Sequence, residues 1–296
     1  MNSSPKDQLP VLIALRSIIS GSPCTGAPFE RIDAGAPWLS TMDLGLTRGD
    51  GIFESIGVFG GQPLELEAHL DRLSRSAEML DLPRLNLDVF SAAIDAAIDA
   101  HPRVPELLVK VIVTRGVEGS GVPSAWVCAA QNPDYAAERS SGVSAITLDR
   151  GYRHDVRITA PWLLQGAKTL SYAVNQAALR EAKRRGAREV VFISSDGYAL
   201  EGPTSTLMIR DEEGFRSPPP DFAVLPGTTQ ARIFHILAQE GISVDYRAIT
   251  LSDLHKASAI WLVSSGRLVV PVNLLDGVPV RLDAAATLLM QNGLTR

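Results

Sequence analysis

Cysteine is almost missing from this chain: Cys24 and Cys128 are the only two, and more than half of a domain separates them. Two distant thiols cannot build a disulfide framework or a metal knuckle, both of which need several closely spaced sulfurs. Two core thiols in a reducing compartment are expected instead, with no metal site. Long apolar runs are missing as well. No stretch reaches the roughly 18 consecutive apolar residues that a membrane helix requires. The run from Val11 to Leu15 stops at Arg16 and follows Asp7, so it lacks the basic start and long apolar centre of a secretory signal. No membrane partner and a cytoplasmic location are the expectations. An excess of positive charge is also lacking. The formal net charge is -5, which offers a nucleic acid no general attraction.

What is present reads as an ordinary globular protein. Of 296 residues, 45% are hydrophobic and 21% charged, enough apolar surface for a sizeable core and one or two domains. Residues 51–67 read as strand, Gly60-Gly61 turn, strand. Leu70, Leu73, Ala77 and Leu80 follow at helical spacing, with Pro83 as the stop, and residues 88–100 form a second amphipathic helix. LLVKVIVTRG (107–116) and SAWVCAA read as paired strands. The polar, turn-rich segment QNPDYAAERSSG (131–142) reads as a linker, which gives an α/β domain over 1–130 and a second domain over 143–296. In that second part the strand at 143–149 precedes a helix in NQAALREAKRRGA, a strand–turn–strand in REVVFISSDGYALEG, and a helix in GTTQARIFHILAQEG. Two strands and a last helix over 281–292 complete it. Hairpins interspersed with helices predict an α+β fold rather than a regular doubly wound sheet.

Several residues stand out chemically, each with a plain alternative. Lys168, in GAKTLSYAVNQ, sits among small and apolar residues just before a helix. Partial burial there lowers an ammonium pKa and makes the amine a nucleophile toward an aldehyde, although a lone lysine is more often a solubilising surface residue. Glu201, in YALEGPTSTLMI, is an acid after a strand and before a Gly-Pro turn; alone it is a loop glutamate. Thr228 and Thr229 open a helix whose backbone N–H groups suit a phosphate, or they are simply helix caps. Arg72, in HLDRL, can clamp a phosphate bidentately or form a surface ion pair.

Together and in this order these residues resemble the class IV aminotransferases, the fold type IV enzymes that use pyridoxal 5'-phosphate (PLP). The resemblance covers most of the chain, above all GAKTLSYAVNQAALREAKRRGAREVVFISSDGYALEGPTSTLMI and LPGTT, with support from DLGLTRGDGIFES and LEAHLDRL. It implies a two-domain α+β fold with a small N-terminal α/β domain and a larger, β-barrel-like C-terminal domain with helices. It implies Lys168 as the Schiff-base lysine and Glu201 as the partner of the pyridine nitrogen. Arg72, the backbone at Thr228 and Thr229, and Ser265 in LVSSG are implied as the phosphate site, Tyr172 as a contact of the ring oxygen. A small-molecule amino substrate and a homodimer are implied too.

Within the family, D-amino acid aminotransferases carry an Arg-x-His carboxylate trap shortly after the motif written here as TRG. VEGSGVPS has neither residue. The VKVIVTRGVEGSG, KTLSYAVNQAALREA and EGPTST forms look most like 4-amino-4-deoxychorismate lyases, which release pyruvate and form 4-aminobenzoate for folate biosynthesis. A D-amino acid or branched-chain aminotransferase is the alternative, and a catalytically silent ligand-binding homologue the non-enzymatic one. Ser55 and the stretch from Arg115 to Ser120 are candidates for deciding the outcome, or are strand-end and turn residues.

Overall fold

The computed structural model describes residues 9–22 and 26–295; Asp7 and Cys24 lie outside the described residues. The chain packs as two compact units. One comprises the chain as far as Pro133 together with Ala167–Ser171, the other Asp134–Gly166 together with Tyr172–Arg296.

The first unit is an antiparallel sheet backed by helices. Its strands are β1 (Val11–Leu15), β2 (Phe29–Ile32), β3 (Gly51–Phe59), β4 (Gln62–Pro63), β5 (Glu106–Thr114) and β6 (Ser124–Gln131), in the order β2-β1-β6-β5-β3-β4. The apolar run at the start is therefore a strand. Gly60 and Gly61, at φ 59° and 83°, make the two-residue turn between β3 and β4, a conformation that glycine adopts without steric penalty. Along β3 the two-residue period places Ile52, Glu54, Ile56 and Val58 on one face, all buried. The helices are α1 (Leu44–Arg48), α2 (Leu66–Met79) and α3 (Leu87–Ala100). Helix α2 packs on β3 and buries His69, Leu70, Arg72, Leu73, Ser76 and Ala77, a stripe at i, i+3, i+4 spacing. It ends as the chain turns through Asp81, at φ 51°, just before Pro83.

The segment containing Lys168 belongs to this unit, although position along the chain suggests the other. Backbone pairing is the reason. Phe53 N–H donates to Lys168 O at 2.9 Å, and Leu170 N–H donates to Gly51 O at 2.8 Å, so residues 168–170 lie along β3. Gly51 makes the approach possible. A Cβ there would stand 2.6 Å from Val113 O and 2.8 Å from Leu170 Cδ1.

In the second unit the polar 131–142 segment is not simple linker: α4 (Ala136–Ser141) occupies its middle, started by the Asp134 carboxylate, which accepts from Ala136 N–H at 2.8 Å. Then come β7 (Val143–Asp149), α5 (Val156–Thr159), α6 (Ala173–Arg184), β8 (Glu189–Ile193), β9 (Thr206–Asp211), β10 (Gly214–Ser217), α7 (Thr228–Gln239), β11 (Val244–Tyr246), α8 (Leu251–Lys256), β12 (Ala259–Ser264), β13 (Leu268–Leu275), β14 (Val278–Pro279) and α9 (Ala284–Leu294). The sheet runs β11-β10-β9-β12-β13-β7-β8, with β14 paired to β13. The return arm expected after the Asp196-Gly197 turn is a short strip, Ala199–Glu201. It bridges β8 on one side, through Ile193 and Ala199, and the start of β9 on the other, through Glu201 and Thr206. That strip joins the two ends of a β9-β12-β13-β7-β8 ring and makes the sheet barrel-like. One buried cluster draws on every strand of the ring, with Ala145, Val191, Ile193, Ala199, Leu207, Ile260, Leu262 and Val272. The alternate residues of β8, Val190 and Phe192, pack on Ala178 and Ala182 of α6. Burial on both faces is why EVVFI is continuously apolar after its first residue. Glu201 thus sits where the ring closes.

Candidate active site

The first unit contributes Lys168, Arg72 and a set of buried charges. The Lys168 N–H donates to Ser76 Oγ at 3.2 Å, and its Nζ lies 4.4 Å from the centroid of the Phe53 ring. Phe53 and Glu54 are consecutive on β3, so they face opposite ways. Glu54, one of three ionisable groups buried there, takes both forks of Arg72: Nε donates to Oε1 at 2.8 Å and Nη2 to Oε2 at 2.7 Å. His69 Nδ1 stands 2.7 Å from Glu54 Oε2. Burial by itself would raise the Glu54 carboxyl, but the Arg72 guanidinium and the two hydrogen-bond partners hold it well below the usual carboxylate range. Burial pushes His69 down, against the pull of Glu54 and with the added push of the Arg72 and Lys168 charges. An ionised carboxylate only accepts, so a neutral His69 carries its proton on Nδ1. The 3.4 Å approach of Arg72 Nη2 to that nitrogen is then a contact between two donors. Arg72 is therefore a buried, oriented cation rather than a surface one.

Arg115, at the end of β5, is bound into the scaffold. Its Nε donates to Asp50 Oδ2 at 2.6 Å, and Nη2 donates to Asp50 Oδ1 at 3.1 Å and Leu80 O at 2.6 Å. Ser120 Oγ accepts from Val122 N–H at 3.1 Å, within its own turn. Ser55 lies half-buried on β3.

The second unit holds Glu201 and Tyr172 through main-chain groups. Glu201 Oε2 accepts from Leu225 N–H at 3.0 Å. Tyr172, at the start of α6, donates its hydroxyl to Pro203 O at 2.6 Å, and Asn175 Nδ2 donates to the same carbonyl at 2.7 Å. Burial pushes the Tyr172 hydroxyl up to about 12, with the Glu201 charge adding to it, so this hydroxyl remains protonated near neutrality. Tyr152 is pushed up to about 12 in the same way. It donates to Gln165 Oε1 at 2.6 Å and accepts from Arg150 Nε at 2.9 Å. Thr228 and Thr229 are buried in the first turn of α7, whose N-cap is Gly227. No intrahelical acceptor exists for first-turn N–H groups. Ser265 is buried just after β12.

Each unit by itself carries groups of a kind that PLP takes. In the first, an amine beside an aromatic ring suits an aldehyde; in the second, an oriented carboxylate suits a pyridine nitrogen, and a helix start with nearby hydroxyls suits a phosphate. Two orphaned buried atoms fit the same picture: Ser205 Oγ, in the turn after Glu201, and Gln230 Nε2, in the first turn of α7, have no hydrogen-bond partner in the protein. Among the described residues no cluster of His, Cys, Asp or Glu could hold a metal ion, and no helix is long and apolar enough to cross a membrane.

Sequence reasoning missed Glu54, His69, Asn175 and Leu225. Two of them left a signal. A glutamate alternating with isoleucines in GIFESI has to be buried, and His69 shares a helix face with Arg72 three residues on. The contact of Leu225 is made by its backbone N–H, which no side-chain pattern reports.

Comparison with known proteins agrees with the geometry. Residues 51–275 match the amino-transferase class IV family. The chain is 43% identical over 258 residues to a bifunctional aminodeoxychorismate lyase / D-amino acid transaminase of Mycobacterium tuberculosis, covering 84% of this chain and 89% of that one. Its fold matches a fold IV transaminase from Curtobacterium pusillum with a TM-score of 0.94 and 45% identity, over 97% of each chain. It also matches a hypothetical aminotransferase of M. tuberculosis in an α-ketoglutarate and PMP bound form, with a TM-score of 0.87 and 41% identity over 90% of this chain and 96% of that one. This chain belongs to the class IV aminotransferase family. It is an enzyme of fold type IV, a PLP-dependent aminotransferase or lyase.

Proposed function

We propose that the enzyme is a 4-amino-4-deoxychorismate lyase, releasing pyruvate and forming 4-aminobenzoate in folate biosynthesis. The observation that carries this reading is the 43% identity to a relative named for that activity. The segment after Arg115 supports it: residues 117–123 hold no arginine or histidine to trap an amino acid carboxylate, and Arg115 itself is committed to Asp50 and Leu80. Transamination of a D-amino acid is the second reading, favoured by the same relative's second activity and by the neighbour bound to α-ketoglutarate and PMP.

In this reading Lys168 Nζ holds PLP through its aldehyde, Glu201 pairs with the pyridine nitrogen, and Tyr172 lies near the ring oxygen. Arg72, Ser265 and the backbone at Thr228 and Thr229 hold the phosphate. PLP, when bound, would supply an electron-withdrawing ring able to take up the electron pair left at the substrate's amine-bearing carbon. Lys168 would be the base that takes the proton from that carbon. Glu201, oriented by Leu225 N–H, would hold the proton on the ring nitrogen. The C–O bond to the enolpyruvyl group then breaks, and a proton returned to the enol carbon gives pyruvate. The aromatic ring of 4-aminobenzoate drives the step. A homodimer and a cytoplasmic location belong to the same proposal.

Purified enzyme given 4-amino-4-deoxychorismate should form 4-aminobenzoate and pyruvate in equal amounts. Formation of D-glutamate from D-alanine and 2-oxoglutarate, with no 4-aminobenzoate, would leave the transaminase reading alone.

A further inference from the structure

The loop from Ser265 to Arg267, joining β12 to β13, is held from behind by a residue of α4. Arg139 Nε donates to Arg267 O at 2.9 Å, and Nη2 donates to Gly266 O at 3.2 Å. Its own backbone is anchored in turn, because Gln291 Nε2 donates to Arg139 O at 3.2 Å and to Val269 O at 2.9 Å. The loop needs such a hold. Leu268, immediately after it, is buried at φ 60°, a left-handed conformation that costs a leucine strain and persists only where the surroundings impose it. Charge points the same way. Arg267 is paired with Glu189 and lies 3.5 Å from Glu138, which also pairs with Arg188, so three arginines face two carboxylates around the loop once Arg139 is included. A trans peptide aims its N–H opposite its C=O, so tying back Gly266 O turns the Arg267 N–H to the side away from Arg139.

We propose that Arg139 is a positioning residue for the cofactor's phosphate: it fixes the Ser265–Arg267 loop with its hydroxyl and N–H groups arranged for an anion. The inference rests on the reading that this loop meets the phosphate, and it adds the residue that shapes the loop. Arg139 touches neither cofactor nor substrate in this account.

The test compares PLP with pyridoxal, which has the same ring and aldehyde and no phosphate, by equilibrium titration of the apoenzyme followed in the near-visible. Arg139→Gln should weaken PLP about tenfold, the scale of a lost charge-assisted contact, and leave pyridoxal unchanged. Arg139→Lys, which keeps the charge and reaches one carbonyl, should fall in between and serves alone if the glutamine variant does not fold. Equal weakening of both ligands, or a lower melting temperature with an unchanged PLP-to-pyridoxal ratio, would make Arg139 a purely structural residue and overturn the proposal. Ser265→Ala separates the two layers. If it too leaves the ratio unchanged, the phosphate assignment of the loop is wrong; if it lowers the ratio while Arg139→Gln does not, only the role of Arg139 fails.

Discussion

The two units orient their candidate site residues by different physical means. The first fixes Arg72 with a buried carboxylate and a buried imidazole, three ionisable side chains packed in the core. The second fixes Glu201, Tyr172 and Asn175 through main-chain groups: Leu225 N–H and the Pro203 carbonyl. A buried ion pair is tolerant of nothing that removes one partner, because the other is left charged and unsolvated. A main-chain contact survives most side-chain changes and fails when the backbone itself is altered. Charge substitutions at Glu54 or His69 should therefore disturb Arg72, and proline substitutions near Leu225 or Pro203 should disturb Glu201 and Tyr172.

The largest effect falls on Lys168. Lys168→Ala should abolish turnover and the near-visible absorbance of bound cofactor, since the next lysine, Lys183, lies far along α6. Glu54→Ala comes next, with an expected loss of about 3–5 kcal/mol in chemical denaturation, because it strands the Arg72 guanidinium in the core. Replacing Glu54 and Arg72 together by leucine should recover much of that loss, and a double-mutant cycle measures the coupling. The same pair predicts an acid sensitivity. Glu54 is held below its unfolded value, so its contribution is complete above about pH 4.3 and fades as the pH falls toward its folded value. Denaturation midpoints of the double-leucine variant should then fall less steeply below that pH.

Arg72→Lys keeps the charge but loses the planar guanidinium that Glu54 orients, which should lower PLP affinity by roughly one decade. In the second unit Thr229→Pro deletes a main-chain donor and should weaken PLP more than Thr229→Ala, which leaves the backbone in place. The smallest change is Ser265→Ala, one neutral donor and about 0.5–1.5 kcal/mol of PLP affinity. A titration series in which Ser265→Ala were worse than Arg72→Lys would reverse the contrast between the units.

The sequence made the local elements legible wherever burial is one-sided. The α2 stripe, the Gly60-Gly61 turn and the pairing of β5 with β6 all follow from periodicity and turn residues. What periodicity cannot report is long-range pairing. Lys168 lies with β3 because of two backbone hydrogen bonds across more than a hundred residues, and the barrel-like closure at Glu201 depends on isolated bridges too short to leave a pattern. The 131–142 segment shows the opposite limit: its polar composition marks a surface stretch, and a six-residue helix carrying Arg139 is compatible with that composition. Of the implied cofactor residues, those with charged side chains stood out in the sequence, while the groups that orient them did not.

The most direct measurement is the site of covalent attachment. Holoenzyme reduced with borohydride and digested should carry the cofactor's mass on the peptide containing Lys168 and on no other lysine peptide. Label on Lys6, Lys110, Lys183 or Lys256 instead, with Lys168 unmodified, would contradict the account at its centre.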